Sequence, residues 1–306
     1  MGRSRAGWRK VGAAACMASL LFVVACSSGG GGDDDEQNFR SIAFGNGQFV
    51  AVGDPGIIST SVDGRDFTQQ QSGVELSLNG VTAGPGQFVA VGDLATILTS
   101  PDGVAWTPEG APTTVSLQDV VFAEGRYVAV GFAGTILTST DARTWTPQTS
   151  GTDSALRGVT FGNGRWVAAG DGGLIVTSTD SVTWSSGSSG AAQGLVRVRF
   201  VGDRFIAVGF AGTIASSSDG LVWTARRENF QNFATLNDVA FANGLYVVVG
   251  LSGTIATTPD GVGFTQRVSR TSRVLGGIVF GAGAFVAVGE DRVVDLSLDG
   301  IEWEVQ

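Results

Sequence analysis

LQDVVFAEGRYVAVGFAGTILTSTDARTW, residues 117–145, decides the fold. Leu117–Phe122 reads as a first strand, and Ala123–Gly125 is a turn. Arg126–Val130 is a second strand, and Gly131–Gly134 turns again. Thr135–Ser139 is a third strand, and a fourth is predicted to start near Thr144. Four short antiparallel strands in sequence order make one sheet. The same pattern occurs seven times, marked by an aromatic with glycine four residues later: Phe49/Gly53, Phe88/Gly92, Tyr127/Gly131, Trp166/Gly170, Phe205/Gly209, Tyr246/Gly250 and Phe285/Gly289. The period is 39 residues, with 41 between the fifth and sixth copies. A period near 40 with four strands per unit predicts an all-β, seven-bladed β-propeller of four-stranded antiparallel blades over residues 39–306.

The second strand of each unit is apolar at nearly every position, so both of its faces must be covered, and stacked blades supply that cover. Its middle residue is Ala51, Ala90, Ala129, Ala168, Ala207, Val248 or Ala287, small enough for the narrow inner part of a wedge. Copy one starts with its own first strand and copy seven ends with its own fourth. Each blade is therefore expected to come from one contiguous repeat, with the ring closed by packing of blade one on blade seven.

A second motif ends each third strand: Ser61-x-Asp63, Ser100-x-Asp102, Ser139-x-Asp141, Ser178-x-Asp180, Ser217-x-Asp219, Thr258-x-Asp260 and Ser297-x-Asp299. An aromatic follows four residues after each Asp: Phe67, Trp106, Trp145, Trp184, Trp223, Phe264 and Trp303. Glycine follows Asp directly in five copies, while copies three and four have Ala142 and Ser181. Asp-Gly suits a turn that needs positive φ, and short Ser and Asp side chains accept turn N–H groups. The motif resembles the Asp-box (BNR) repeat of propellers found in sialidases, in sortilin-type receptors and in the photosystem II assembly factor family, whose members have seven such blades. The spacing between Asp and the aromatic is one residue shorter here than the usual pattern. The seven Asp residues are assigned to turns rather than to metal binding.

Residues 1–25 read as a lipoprotein signal peptide: Arg3, Arg5, Arg9 and Lys10 precede an apolar run that ends Val23-Val24-Ala25-Cys26. The ending resembles a bacterial lipobox, which implies acylation of Cys26. Residues 26–38, rich in Gly, Ser and acids, read as a flexible tether. Ser27 after the cysteine implies, by the same resemblance, outer-membrane sorting. The expected location is the bacterial cell envelope, lipid-anchored at the outer membrane or cell surface.

From Cys26 onward the chain carries 15 Arg against 28 acidic residues, net −13, so nucleic acid is excluded as a partner class. Histidine is absent and both cysteines lie in the first 26 residues, which leaves no His-based triad and no His/Cys metal cluster. No cofactor is expected. A sialidase would need an arginine cluster, a tyrosine nucleophile and an acid/base carboxylate. Tyr127 and Tyr246 both fill the repeated aromatic slot, and Phe39-Arg40-Ser41-Ile42 lacks the Phe-Arg-Ile-Pro element that resemblance to sialidases would require. The chain therefore reads as a non-enzymatic, monomeric binding or assembly scaffold, with a glycan hydrolase or lyase as the alternative.

Function is sought where the repeat symmetry breaks. The Asp boxes occupy one face of the ring; the second-to-third turns and inter-blade links occupy the other. Around the axial opening, Arg40, Asn79, Gln118, Asp119, Arg157, Arg197, Asn237 and Asp238 are polar and non-identical, a candidate ligand site, against the competing reading of a solvated rim. The links after blades five and six gather Arg226, Arg227, Arg267, Arg270 and Arg273, with Phe230 and Phe233 in the longer first link. Arginine with exposed aromatics is the composition of an interaction surface for an envelope protein or anionic glycan; a solvated basic edge is the competing reading.

Overall fold

The computed structural model describes residues 37–306. The leader, Cys26 and the tether up to residue 36 lie outside the described residues. Seven four-stranded antiparallel sheets form, each from one contiguous repeat. The first strands, Asn38–Gly45, Leu78–Gly84, Leu117–Ala123, Leu156–Gly162, Leu195–Val201, Leu236–Ala242 and Leu275–Gly281, contact one another in a closed ring. Later strands follow outward in order, giving a seven-bladed propeller. In the third blade the strands are Leu117–Ala123, Arg126–Gly131, Ile136–Ser139 and Thr146–Gln148. The fourth begins two residues later than expected, because Trp145 belongs to the turn: its indole N–H donates to the Ala142 carbonyl at 2.9 Å.

The middle residues of all seven second strands are fully buried. Between blades one and seven, Phe39, Ile42, Phe49 and Ala51 pack against Val286, Val288 and Leu296 in one core. Arg65 meets Glu304 across the same junction, and the Asp291 N–H donates to Asn38 Oδ1 at 2.9 Å. The ring therefore closes by packing and side-chain bonds without a shared strand.

The repeated glycine after the second strand has a steric cause. At Gly53, Gly92, Gly131, Gly170, Gly209, Gly250 and Gly289, a Cβ would overlap a backbone carbonyl oxygen at the entry to the blade's own first strand. In blade two that carbonyl, Ser77 O, also accepts the Asp93 N–H at 2.9 Å. The crossing point thus leaves no room for a side chain.

Each Ser/Thr-x-Asp turn is a hydrogen-bonded knot. Asp141 Oδ1 accepts the Ser139 hydroxyl and the N–H groups of Arg143 and Thr144 at 2.8–2.9 Å. Those two N–H groups, Thr144 first, with the Ser139 hydroxyl, hold its pKa down at about 2. These turns also join neighbouring blades: Gln87 donates to Asp141 O and Arg165 to Asp219 O, each from the start of the preceding blade's second strand.

The residue after the turn Asp is left-handed in all seven blades, at φ +63° for Ala142 and Ser181 and between +71° and +78° for the five glycines. Copies three and four therefore keep the same turn and accept the strain. Ala142→Gly is expected to raise stability by up to about 1 kcal/mol, the strain relief being partly offset by the flexibility glycine adds to the unfolded chain and by loss of a buried methyl. Urea unfolding checks this; a loss of several kcal/mol would show that the Ala142 methyl packs better than the strain costs.

Candidate partner-binding face

The second-to-third turns and the links share the face opposite the Ser/Thr-x-Asp turns, and several of those second-to-third turns meet side chains of the innermost strands. Arg40 Nε donates to Asp54 Oδ2 at 2.5 Å, and its Nη1 reaches Asn79 Oδ1 of the next blade. Asn79 in turn donates to Asp93 Oδ1 and to Leu117 O. Arg157 donates to Asp171 at 2.6 Å, and its guanidinium lies 5.7 Å from the Phe132 ring centroid and 5.6 Å from that of Phe210. This cation between two aromatic rings spans blades three to five. Phe132 and Phe210 escaped sequence reasoning because they fall in turns, outside every strand pattern. Gln118 is half-buried beside Leu117 O.

Below the mouth the structure gathers Asp119, Arg197 and Asp238, with Arg199 added. Asp119 and Asp238 are fully buried, and Arg197 nearly so. Arg199 Nη1 lies 3.0 Å from Asp119 Oδ2 and its Nε 3.3 Å from Asp238 Oδ1. Arg197 Nη1 stands 2.9 Å from Asp119 Oδ1, off the hydrogen-bond direction. Burial opposes the Arg199 charge, but Asp119 and Asp238 outweigh it and hold its pKa above the ordinary value. The lattice reaches from blade five to blade three past Gly158, where a Cβ would stand 2.9 Å from Arg197 Cα.

The same acids cap backbone edges. Asp119 Oδ2 accepts the Val159 N–H at 3.1 Å, and Asp238 Oδ2 accepts the Ile278 N–H at 3.3 Å, each in the next blade's first strand. Asn237 does the converse, donating to Leu275 O at 2.8 Å. First strands expose an unpaired edge to the axis, and these side chains satisfy it. Arg40 and Arg157 thus stand at the mouth, whereas Asp119, Arg197, Asn237 and Asp238 are committed to internal partners.

On the links after blades five and six, Phe230 was expected to be exposed and is instead buried in the core between those blades with Ile206, Val208 and Val239. The two additional residues let the chain fold back and insert this ring. Phe233 is 42% exposed, and the Arg227 guanidinium lies over it at 4.7 Å. Gln231, Asn232 and Phe233 are consecutive left-handed residues, an arrangement that costs free energy and turns Phe233 outward. Arg226 is tied inward to Glu228 and to Gly261 O. Arg267 donates to Thr257 Oγ1 at 2.7 Å, and Arg273 pairs with Asp291 at 3.0 Å. Arg270 is exposed. A groove of about 400 Å³ runs between the two links, lined by Gln231, Gln266, Arg267, Val268, Ser269 and Thr271 among others.

Elsewhere, desolvation raises the pKa of both tyrosines, which bond to Gln87 and Asp203. Among the described residues no group of three or more acids, His or Cys could hold a metal ion.

No protein-family model matches the sequence, and no curated protein does. Solved structures do resemble the fold. YCF48 bound to D1 peptide superposes with a TM-score of 0.70 at 16% identity, covering 86% of this chain and 92% of that one. YCF48 from Cyanidioschyzon merolae gives 0.66 at 15% identity, covering 85% and 95%. The WD40 β-propeller domain of Doa1 gives 0.69 at 14% identity, covering 87% and 93%. At these identities the likeness is one of fold, and this chain shares the propeller architecture of all three.

Proposed function

We infer that this chain is a protein-binding scaffold whose docking surface is the link face between blades five and seven. The observation that carries the reading is the strained turn at Gln231–Phe233, which presents an exposed aromatic ring beneath Arg227, while Gln231 of the same turn lines a groove with Arg267 of the next link. Strain of this kind persists where the surrounding structure enforces it, and an exposed ring stacked with arginine is a ready anchor for a partner side chain. The propeller neighbour solved with D1 peptide supports peptide or protein binding as the use of such a fold. With the acylated Cys26 and acidic tether read from the sequence, the scaffold would stand off a bacterial envelope membrane and present this face to an envelope protein or anionic glycan.

Charge reversal tests the reading. Arg226 is left in place because it is half-buried on Glu228 and Gly261 O; Arg227, Arg270 and Arg273 are exposed and form the surface set. Arg227→Glu, Arg270→Glu and Arg273→Glu together are expected to abolish crosslinked capture of envelope partners while the circular dichroism spectrum and melting temperature stay close to wild type. Wild-type capture should weaken with salt. Unchanged capture at the same salt dependence would reduce the patch to a solvated edge, and loss of capture in Arg40→Glu with Arg157→Glu would move the site to the mouth.

A further inference from the structure

Asp295 lies in the third strand of blade seven, Val294–Ser297, directly opposite Ala287. The equivalent positions in the other blades hold Ser59, Leu98, Leu137, Val176, Ala215 and Ala256. Cross-strand partners share a face, and Ala287 packs into the core between blades six and seven with Val247, Val249, Ile255 and Ile278. The Asp295 carboxyl therefore enters that apolar seam. It is fully buried, and neither oxygen has a hydrogen-bond partner. An ionised carboxylate without a partner in such a place is strongly disfavoured, so the neutral acid is the form that fits.

The surroundings offer little to offset a charge. Opposite Asp295 on the outer strand stands Val305. Glu304 belongs to the other face, where Arg65 of blade one meets it. From blade six, Thr257 alternates onto the face of Ile255 and holds Arg267 on its hydroxyl at 2.7 Å, and at the axial end of the seam the buried Asp238 carboxylate accepts the Ile278 N–H at 3.3 Å. Blade seven is otherwise held by its packing on blade one, without a shared strand.

We propose that the seam between blades six and seven is a proton-controlled contact, closed while the Asp295 carboxyl is neutral and loosened when that carboxyl ionises. Desolvation alone raises the Asp295 pKa to about 6 in the closed form. The sign follows: the closed form binds the proton more tightly than the open form, so closure is favoured at low pH. It weakens as pH rises above the ordinary carboxylate range and levels off above the closed-form value. The opening constant should grow roughly thirtyfold between about pH 4.5 and about pH 7.5.

Hydrogen exchange on the full chain, corrected for intrinsic rates, reads this directly. Protection in the second and third strands of blades six and seven should fall with pH by about that factor relative to the seam between blades two and three. Asp295→Asn, which cannot ionise, should remove the dependence. Asp295→Leu, which copies blades two and three, should do the same if the amide disturbs packing. Parallel pH responses at both seams, or a wild-type pH response in both variants, would overturn the proposal.

Discussion

Asp119→Ala is expected to destabilise the propeller by about 3–5 kcal/mol, because it leaves two arginines on the axis without their main counter-charge. Arg197, whose side chain is 6% exposed, would keep only Asp238 Oδ1 at 3.9 Å, and the Val159 N–H would lose its acceptor. Asp119→Asn separates the two contributions: the amide oxygen can still accept the Val159 N–H, so the remaining loss reports the charge. The matching control is Asp171→Ala at the mouth. Its pair with Arg157 is half exposed and screened, and the expected cost is under about 1 kcal/mol. Urea unfolding followed by tryptophan fluorescence measures all three. Equal costs for Asp119→Ala and Asp171→Ala would show that the axial lattice contributes no more than a surface pair.

That contrast also marks what the sequence could convey. The aromatic and glycine four residues apart, and the Ser-x-Asp turns, announce seven blades because each is imposed by a local geometric demand that every copy repeats. Asp119, Arg197 and Asp238 are legible as polar residues near an axis. Their pairing is not, since Asp119 and Arg199 are 80 residues apart and meet only when the ring closes and Gly158 leaves the path between them open. Phe230 and Phe233 illustrate the same limit in one link. Both are aromatic and three residues apart, yet the left-handed turn sends one into the core and the other into solvent. Asp295 is visible in the sequence as the single acid at a position otherwise held by small or apolar residues. The Ser297-x-Asp299 turn that follows two residues later masks it, because an acid beside a polar turn motif looks like part of the turn until the strand's facing is known.

Gly92→Ala carries the other large expected loss, about 3 kcal/mol or more, and it separates two reasons for keeping a glycine. Gly92 is extended, at φ −164°, so its backbone is open to any residue. What forbids a side chain is the Ser77 carbonyl oxygen, which a Cβ would overlap, with Leu78 Cα at 3.0 Å behind it. Neither atom can retreat cheaply. Ser77 O holds the Asp93 N–H, and Leu78 begins the first strand with its side chain fully buried in the seam with blade one. Gly47 is the opposite case: φ is +80° and nothing lies within 4 Å of where a Cβ would stand, so Gly47→Ala should cost only the left-handed strain, about 1 kcal/mol. Because the same clash recurs at Gly131, Gly209 and Gly250, alanine at those sites should cost as much as at Gly92. Urea midpoints for the series decide the matter. If Gly92→Ala cost no more than Gly47→Ala, the repeated glycine would have to be explained by backbone freedom, and the steric origin of the sequence marker would be wrong.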